Sequence, residues 1–230
     1  MKNLLILATT IVILFACKKE KIEPIAVEIP QPEETSAVYT LTFEGNWNLA
    51  NQPTDYTTRA HFSRLIGMVH NNRTELIRLD RIASAGIKVM AETGNVSPLN
   101  IEIGNIVSNG DAKSVIEADK GLATGVASWS TEITVDKDFH YLSVVSMLAP
   151  SPDWFVGAAS VNLYENEVFV DELNLDMIVY DGGTDSGESF TSPDSVTSPA
   201  VNPFVLVVSP VGNGSTVPNP FAKLTLKKNS

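Results

Sequence analysis

Long stretches of this chain alternate apolar and polar side chains with a period of two, and that pattern limits the fold more than any other feature. Tyr39, Leu41 and Phe43 alternate with Thr40, Thr42 and Glu44. Trp129, Thr131, Ile133 and Val135 alternate with Ser130, Glu132, Thr134 and Asp136. Leu173, Leu175, Met177 and Val179 alternate with Asn174, Asp176 and Ile178, and Ala222, Leu224 and Leu226 with Lys223, Thr225 and Lys227. Successive side chains of a strand point to opposite faces, so each stretch reads as a strand with one buried and one wet face. Leu142 to Leu148 and Phe204 to Val208 are apolar on both faces and read as central strands. Leu99, Ile101 and Ile103 suggest one more strand. Ile82 to Glu92 is the one helical candidate, ended by Thr93-Gly94 and weakened by Gly86. The expected fold is all-β: an antiparallel two-sheet β-sandwich with one short helix.

The N-terminus reads as a targeting segment. Lys2 precedes an apolar run from Leu4 to Phe15, too short to span a bilayer, which needs about 20 residues. The run ends in Leu14-Phe15-Ala16-Cys17, at the only cysteine of the chain. This resembles the lipobox of bacterial lipoproteins. The resemblance implies a signal peptide over residues 1–16 and lipidation of Cys17, which would anchor the chain stably through several acyl chains. Residues 17–37 are rich in Pro and Glu and read as a flexible tether, followed by one domain over 38–230. With no cysteine after Cys17, core packing must hold that domain without disulfides.

The formal net charge of −11 argues against nucleic acid, which demands clustered Lys and Arg, and against electrostatic attachment to anionic lipid. The acidic side chains that matter most sit in two tight turns, each following a strand-like run. Pro150-Ser151-Pro152-Asp153-Trp154-Phe155-Val156-Gly157 is the first, and Tyr180-Asp181-Gly182-Gly183-Thr184-Asp185-Ser186-Gly187 the second. Pro and Gly fix the turns; the Asp side chains have no apolar role there. Carboxylates held close repel unless a cation lies between them. Calcium takes six to eight oxygens, and Asp153, Asp181 and Asp185 with carbonyls and water meet that number. No Cys and no paired His lies near either turn, which argues against zinc. The plainer reading is that the three Asp cap their own turns. Glu92, at the end of the helical stretch, is a weak further candidate ligand.

Together these two phrases resemble the spondin domain, the N-terminal domain of a family of extracellular matrix proteins that also occurs in bacterial secreted proteins. Thr42-Phe43-Glu44-Gly45-Asn46-Trp47, His61-Phe62-Ser63, Ala83-Ser84-Ala85-Gly86 and Pro220-Phe221-Ala222-Lys223-Leu224 agree with it. The resemblance covers about residues 38 to 228 and implies a sandwich of the C-two-like type, with calcium (Ca2+) bound at one end by Asp153, Asp181 and Asp185. It implies matrix attachment, cell adhesion or recognition of surface molecules rather than catalysis. The chain departs from the animal domain in lacking its cysteines and the repeats that follow it, and in having Gly182 where alanine is common.

Enzymatic readings are weaker. Asp185-Ser186-Gly187 spells an aspartic-protease triplet, but that chemistry needs two such carboxylates sharing a proton, and the triplet occurs once. A serine-protease reading needs a base His in context, and His61, His70 and His140 lack it. A glycosidase carboxylate pair is not excluded by spacing alone. Trp47, Trp129 and Trp154 read as core rather than as a sugar-stacking platform. The sequence therefore points to a lipid-anchored cell-envelope protein, an outer-membrane lipoprotein, that binds calcium and a surface glycan or protein. The alternatives are an envelope hydrolase using the same loops and a structural surface protein.

Overall fold

The computed structural model describes residues 34–229. The proposed signal segment, Cys17 and most of the tether lie outside them. The elements in chain order are β1 (Ser36–Gly45), β2 (His61–Phe62), β3 (Ile66–His70), α1 (Ala85–Thr93), α2 (Leu99–Ser108), β4 (Ala112–Glu117), β5 (Ser128–Asp136) and β6 (Tyr141–Ala149). There follow β7 (Trp154–Asn162), β8 (Tyr164–Glu165), β9 (Val168–Phe169), β10 (Glu172–Asp176), β11 (Ile178–Asp181), β12 (Phe204–Val205) and β13 (Ala222–Lys228). One sheet has the order β10-β13-β1-β5. A larger one runs β12-β11-β7-β6-β3-β4, with β2 added on β6, and β8 and β9 make a separate two-stranded ribbon. All these pairs are antiparallel. The fold is thus the all-β sandwich that the alternation predicts.

The alternating strands bury one face as expected. Tyr39, Leu41 and Phe43 of β1 and Leu224 and Leu226 of β13 pack in the core between the sheets with Val144 of β6 and Val156 of β7. The second sheet is buried on its other face too. Ile66, Met68, Val145, Met147 and Phe155 form a separate cluster with Ile87, Met90, Leu99 and Ile103 of the helices. This explains why Leu142 to Leu148 shows no alternation: one face of β6 meets the opposite sheet, the other the helical layer.

The helical layer departs from expectation. There are two helices, not one, and Leu99, Ile101 and Ile103 lie on α2 instead of a strand. Leu99 and Ile103 are four residues apart and share its buried side, while Ile101 is exposed. Three apolar residues at odd positions satisfy both periodicities, and the helical one prevails here. Helix α1 begins at Ser84, whose hydroxyl accepts the Ile87 N–H, and ends at Gly94 in the left-handed region. Gly86, unfavourable for propensity, allows close approach: a Cβ there would lie 2.6 Å from Leu99 Cα of α2.

Two further strand expectations are corrected. Phe204 to Val208 is not a central strand; β12 spans two residues at the sheet edge, with Phe204 44% exposed. The chain leaves the sheet in a turn closed by hydrogen bonds from Val211 and Gly212 N–H to Val208 O. The run from Leu173 to Val179 reads as one strand but supplies two, β10 and β11, in different sheets. The change of sheet falls at buried Met177, whose N–H still bonds Ala222 O.

Trp47 and Trp154 are core residues as expected, both packed on Phe190. Trp129 is half-buried on the edge strand β5, its indole N–H donated to Asp119. The histidines hold main chain: His61 Nδ1 lies 2.7 Å from Arg59 O, His140 Nδ1 2.7 Å from Lys137 O, and buried His70 Nδ1 2.7 Å from Asn71 O.

Candidate metal centre

Strands β7 and β11 are antiparallel neighbours with Trp154 opposite Asp181, so both acidic turns lie at the same end of one sheet. The first turn, between β6 and β7, is closed by Ser151 Oγ, which accepts the Trp154 N–H at 3.1 Å. It delivers Asp153 fully buried. The Gly182 N–H bonds Asp153 O at 3.1 Å, and from there the second turn wraps the Asp153 carboxylate. Asp153 Oδ2 accepts from Thr184 N (2.7 Å), Thr184 Oγ1 (3.1 Å) and Asp185 N (3.0 Å). Backbone N–H groups aimed at one carboxylate make an anion nest. Gly182 closes over it; a Cβ there would meet both Asp153 O and Oδ2 at 3.1 Å, tight contacts that require Asp153 to give way by a few tenths of an ångström.

The other two aspartates are also held by main chain. Asp181 Oδ1 accepts from Gly183 N at 2.8 Å and Oδ2 from the Trp154 indole N–H at 3.2 Å. Asp185 Oδ1 accepts from Gly187 N at 2.7 Å and Oδ2 from Ser195 N at 2.9 Å. Asp185 and Thr184 thereby clasp the following loop, where Thr197 N bonds Thr184 O and Ser186 N bonds Ser195 O. Gly183 adopts φ 73°, and a Cβ there would stand 2.3 Å from Val201 O, so glycine is required for this contact. The turn-capping role is therefore present at Asp181 and Asp185, whereas Asp153 caps the opposite turn and not its own. It leaves one oxygen over: Asp153 Oδ1 is buried and has no hydrogen-bond partner.

The electrostatics are those of crowded acids. Burial pushes the Asp153 carboxyl above the usual range, and the charge of Asp185 adds to this. Asp181 is pushed up to about 6, first by burial, then by the charges of Asp153 and Asp185. So each raised carboxyl feels the charge of its neighbouring aspartates. The three are hard oxygen donors of the kind calcium takes, but every one of their oxygens except Asp153 Oδ1 already accepts a hydrogen bond. Among the described residues, no three His, Cys, Asp or Glu side chains are gathered so that they could hold a metal ion, these three included. Glu92 is not part of the turns; it pairs with Lys88 one helical turn earlier. A groove of about 490 Å³ runs beside the turns, with Trp154, Asp181, Asp185, Glu188 and Phe204 in its walls; fully buried Asp153 does not line it.

The raised Asp181 pKa has a definite sign. An unfolded Asp titrates near 3.9, so between about pH 4 and 6 the folded chain binds the proton more tightly. In metal-free buffer the ionised group therefore costs stability above pH 6, and the cost disappears as pH falls toward 4. Allowing for its partial exposure, the cost is on the order of 1–2 kcal/mol. Denaturant titrations of the wild type and Asp181→Asn check this: their difference should shrink by that amount from pH 7 to pH 4. Buried His70, whose pKa burial lowers, opposes the trend in both proteins and cancels in the difference. A pH-independent difference contradicts the coupling.

The family model for the spondin N-terminal domain (Spondin_N) matches residues 37–210. The chain belongs to the spondin N-terminal domain family. Spondin-1 of Rattus norvegicus is 36% identical over 171 residues, covering 71% of this chain and 21% of that protein. Spondin-1 of Xenopus laevis is 39% identical over 173 residues. Spondin-2 of Homo sapiens is 32% identical over 169 residues, 50% of that protein. The chain thus spans between about a fifth and a half of the length of these relatives. Both acidic turns of the spondin domain lie inside the matched range. Its structure continues past residue 210, since β13 occupies a place between β10 and β1.

The two turns named by their sequence do come together, but the groups that hydrogen-bond the aspartates were not legible there. Thr184, which gives Asp153 two hydrogen bonds, and the Ser195–Val201 segment that clasps the second turn carry no signal beyond Ser, Thr and Pro content. The indole N–H of Trp154 on Asp181 follows only from the pairing of β7 with β11.

Proposed function

We propose that this spondin domain binds a calcium ion at the two acidic turns and serves adhesion or recognition at the cell envelope, without turnover of a substrate. Asp153, Asp181 and Asp185 hold the ion, which supplies the positive charge that offsets their repulsion. The observation that carries this reading is the buried Asp153 Oδ1 with no hydrogen-bond partner, beside a second carboxyl whose pKa is raised to about 6. A buried acceptor without a donor is costly, and a cation in place of the donor removes the cost. The ligand of the domain is a surface glycan or protein, in keeping with the extracellular relatives.

The expected result is a calcium-dependent melting temperature. At about ten times its dissociation constant calcium adds about 1.4 kcal/mol, or about 3–5 °C for a domain of this size. Extracellular calcium modules bind at about 10⁻⁴ to 10⁻³ M, so millimolar calcium against chelator is the comparison. Asp185→Asn should lose most of the shift and keep the fold. Identical melting curves with and without chelator contradict the proposal.

Anchoring through lipid on Cys17 is part of the same reading, supported by the sequence around that residue; among the described residues no helix is long and apolar enough to cross a membrane. Cys17→Ser should move the protein from the membrane to the soluble fraction, and an unchanged distribution overturns the anchor. One observation favours a hydrolase: Asp181, with its pKa near 6, borders an open groove as a general acid would. Turnover of a peptide, ester or glycan substrate that Asp181→Asn abolishes would replace adhesion by catalysis.

A further inference from the structure

A second cleft, of about 320 Å³, opens on the helical layer and shares no lining residue with the groove beside Asp181. Its floor is apolar: Leu76, Ile77, Ile87, Leu99, Ile103 and Phe155 line it, each at most 8% exposed. Ile82, 54% exposed, flanks the mouth. The chain between β3 and α1 thus brings an exposed apolar side chain to the entrance of a cleft that is apolar inside.

The charged groups at the mouth are Glu75, Arg78, Arg81 and Glu102. Most are committed to protein partners. Glu102 accepts from the Ser84 hydroxyl at 2.6 Å and from Gly86 N at 2.7 Å, at the start of α1. Arg78 is gripped by both oxygens of Asp80, at 3.0 and 2.9 Å, and lies 3.2 Å from Glu75. Arg81 is different. Among the described residues its one ion-pair contact is a long one, Nε to Asp80 Oδ1 at 3.6 Å, to a carboxylate already held by Arg78, and 63% of its side chain is exposed. A guanidinium presents five donors in a fork suited to a carboxylate. Arg81 is therefore the uncommitted polar group over an apolar floor.

We propose that this cleft binds a free, medium-chain fatty acid, with the alkyl chain on the Ile87, Leu99 and Ile103 floor and the carboxylate on Arg81. Small-molecule sites run from about 300 to 1,000 Å³, so a cleft at the small end of that range suits a chain of about ten carbons. Apolar burial supplies the affinity and the charge-assisted hydrogen bond the selectivity for an acid over an alcohol. The site is independent of the acidic turns and of calcium.

Calorimetric titration of the folded protein with decanoate, decanol and decyltrimethylammonium tests the assignment. Decanoate should bind saturably at one site with submillimolar affinity, more tightly than decanol, and the cation should not bind. Arg81→Gln should weaken decanoate about tenfold and leave decanol unchanged; the side chain is exposed, so the fold is retained, as near-ultraviolet circular dichroism will verify. Ala83→Phe, which fills the mouth, should abolish decanoate binding. Absence of saturable decanoate binding overturns the proposal. So does equal binding of all three amphiphiles with no effect of Arg81→Gln, which would make the cleft a non-selective apolar surface.

Discussion

Replacing Asp153 by alanine is expected to destabilise the domain by about 3 kcal/mol in metal-free buffer, the largest effect of any single change at the acidic turns. The reason is the nest around Oδ2. Thr184 N, Thr184 Oγ1 and Asp185 N all donate to that one oxygen and are buried with it. Alanine leaves these donors without an acceptor, at about 1–3 kcal/mol for each group that water does not reach. Part of the loss is recovered, because the buried charge and its repulsion with Asp181 and Asp185 vanish as well. Asparagine separates the two contributions. Its carbonyl oxygen takes the three hydrogen bonds, while its amide stands buried where Oδ1 has no partner, so unpaired N–H donors offset part of the gain from removing the charge. Asp153→Asn should therefore cost less than alanine without calcium, yet show no calcium response. Urea titrations in chelator and in calcium measure both. Equal losses for alanine and asparagine would contradict a role for Asp153 as the acceptor of these three hydrogen bonds.

Gly67→Ala is expected to cost a similar amount, about 3 kcal/mol, by overpacking. Gly67 lies on β3, flanked by β4 and β6 and opposite Val144. A Cβ there would stand 2.0 Å from Ser143 O and 2.7 Å from Val144 Cα. Both are backbone atoms of β6, so no rotamer change relieves the clash and the strands must separate. Beside this contact, Ser143 Oγ lies 2.8 Å from His70 Nε2 and accepts the Ser160 N–H at 2.9 Å. A shift of β6 would therefore disturb a buried polar chain as well as the apolar contacts of Val144 and Val145. Gly104→Ala is the control: nothing lies within 4 Å of a Cβ at this position on α2, and the helix should gain slightly. A Gly67→Ala protein as stable as the wild type would contradict the tight β3–β6 approach.

The sandwich was legible where burial is one-sided. Tyr39 to Phe43 and Ala222 to Leu226 alternate because β1 and β13 have one wet face; that the two strands pair came only from the structure. It was not legible where burial is two-sided or where the chain changes partner. Leu173 to Val179 alternates without a break although Met177 is where the chain passes from one sheet to the other, because a buried residue satisfies either core equally. Leu99 and Ile103 fit a strand and a helix alike until the β4 and β3 faces that α2 covers are known. At the candidate site the residue types were readable because Asp, Gly and Pro have few other uses in such turns. The role of Thr184 and the Ser195–Val201 clasp are long-range matters of where a loop returns, and no local preference encodes them.

The central claim is that the two turns act as one cation seat organised by Asp153. Terbium luminescence measures this most directly, because Tb³⁺ takes the oxygen ligands that suit calcium and the Trp154 indole touches Asp181. Excitation of tryptophan should give terbium emission that calcium displaces, that Asp153→Asn and Asp185→Asn abolish, and that Trp154→Phe weakens while calcium still binds. No sensitised emission, or emission that persists in the two aspartate variants, would contradict a metal between the turns.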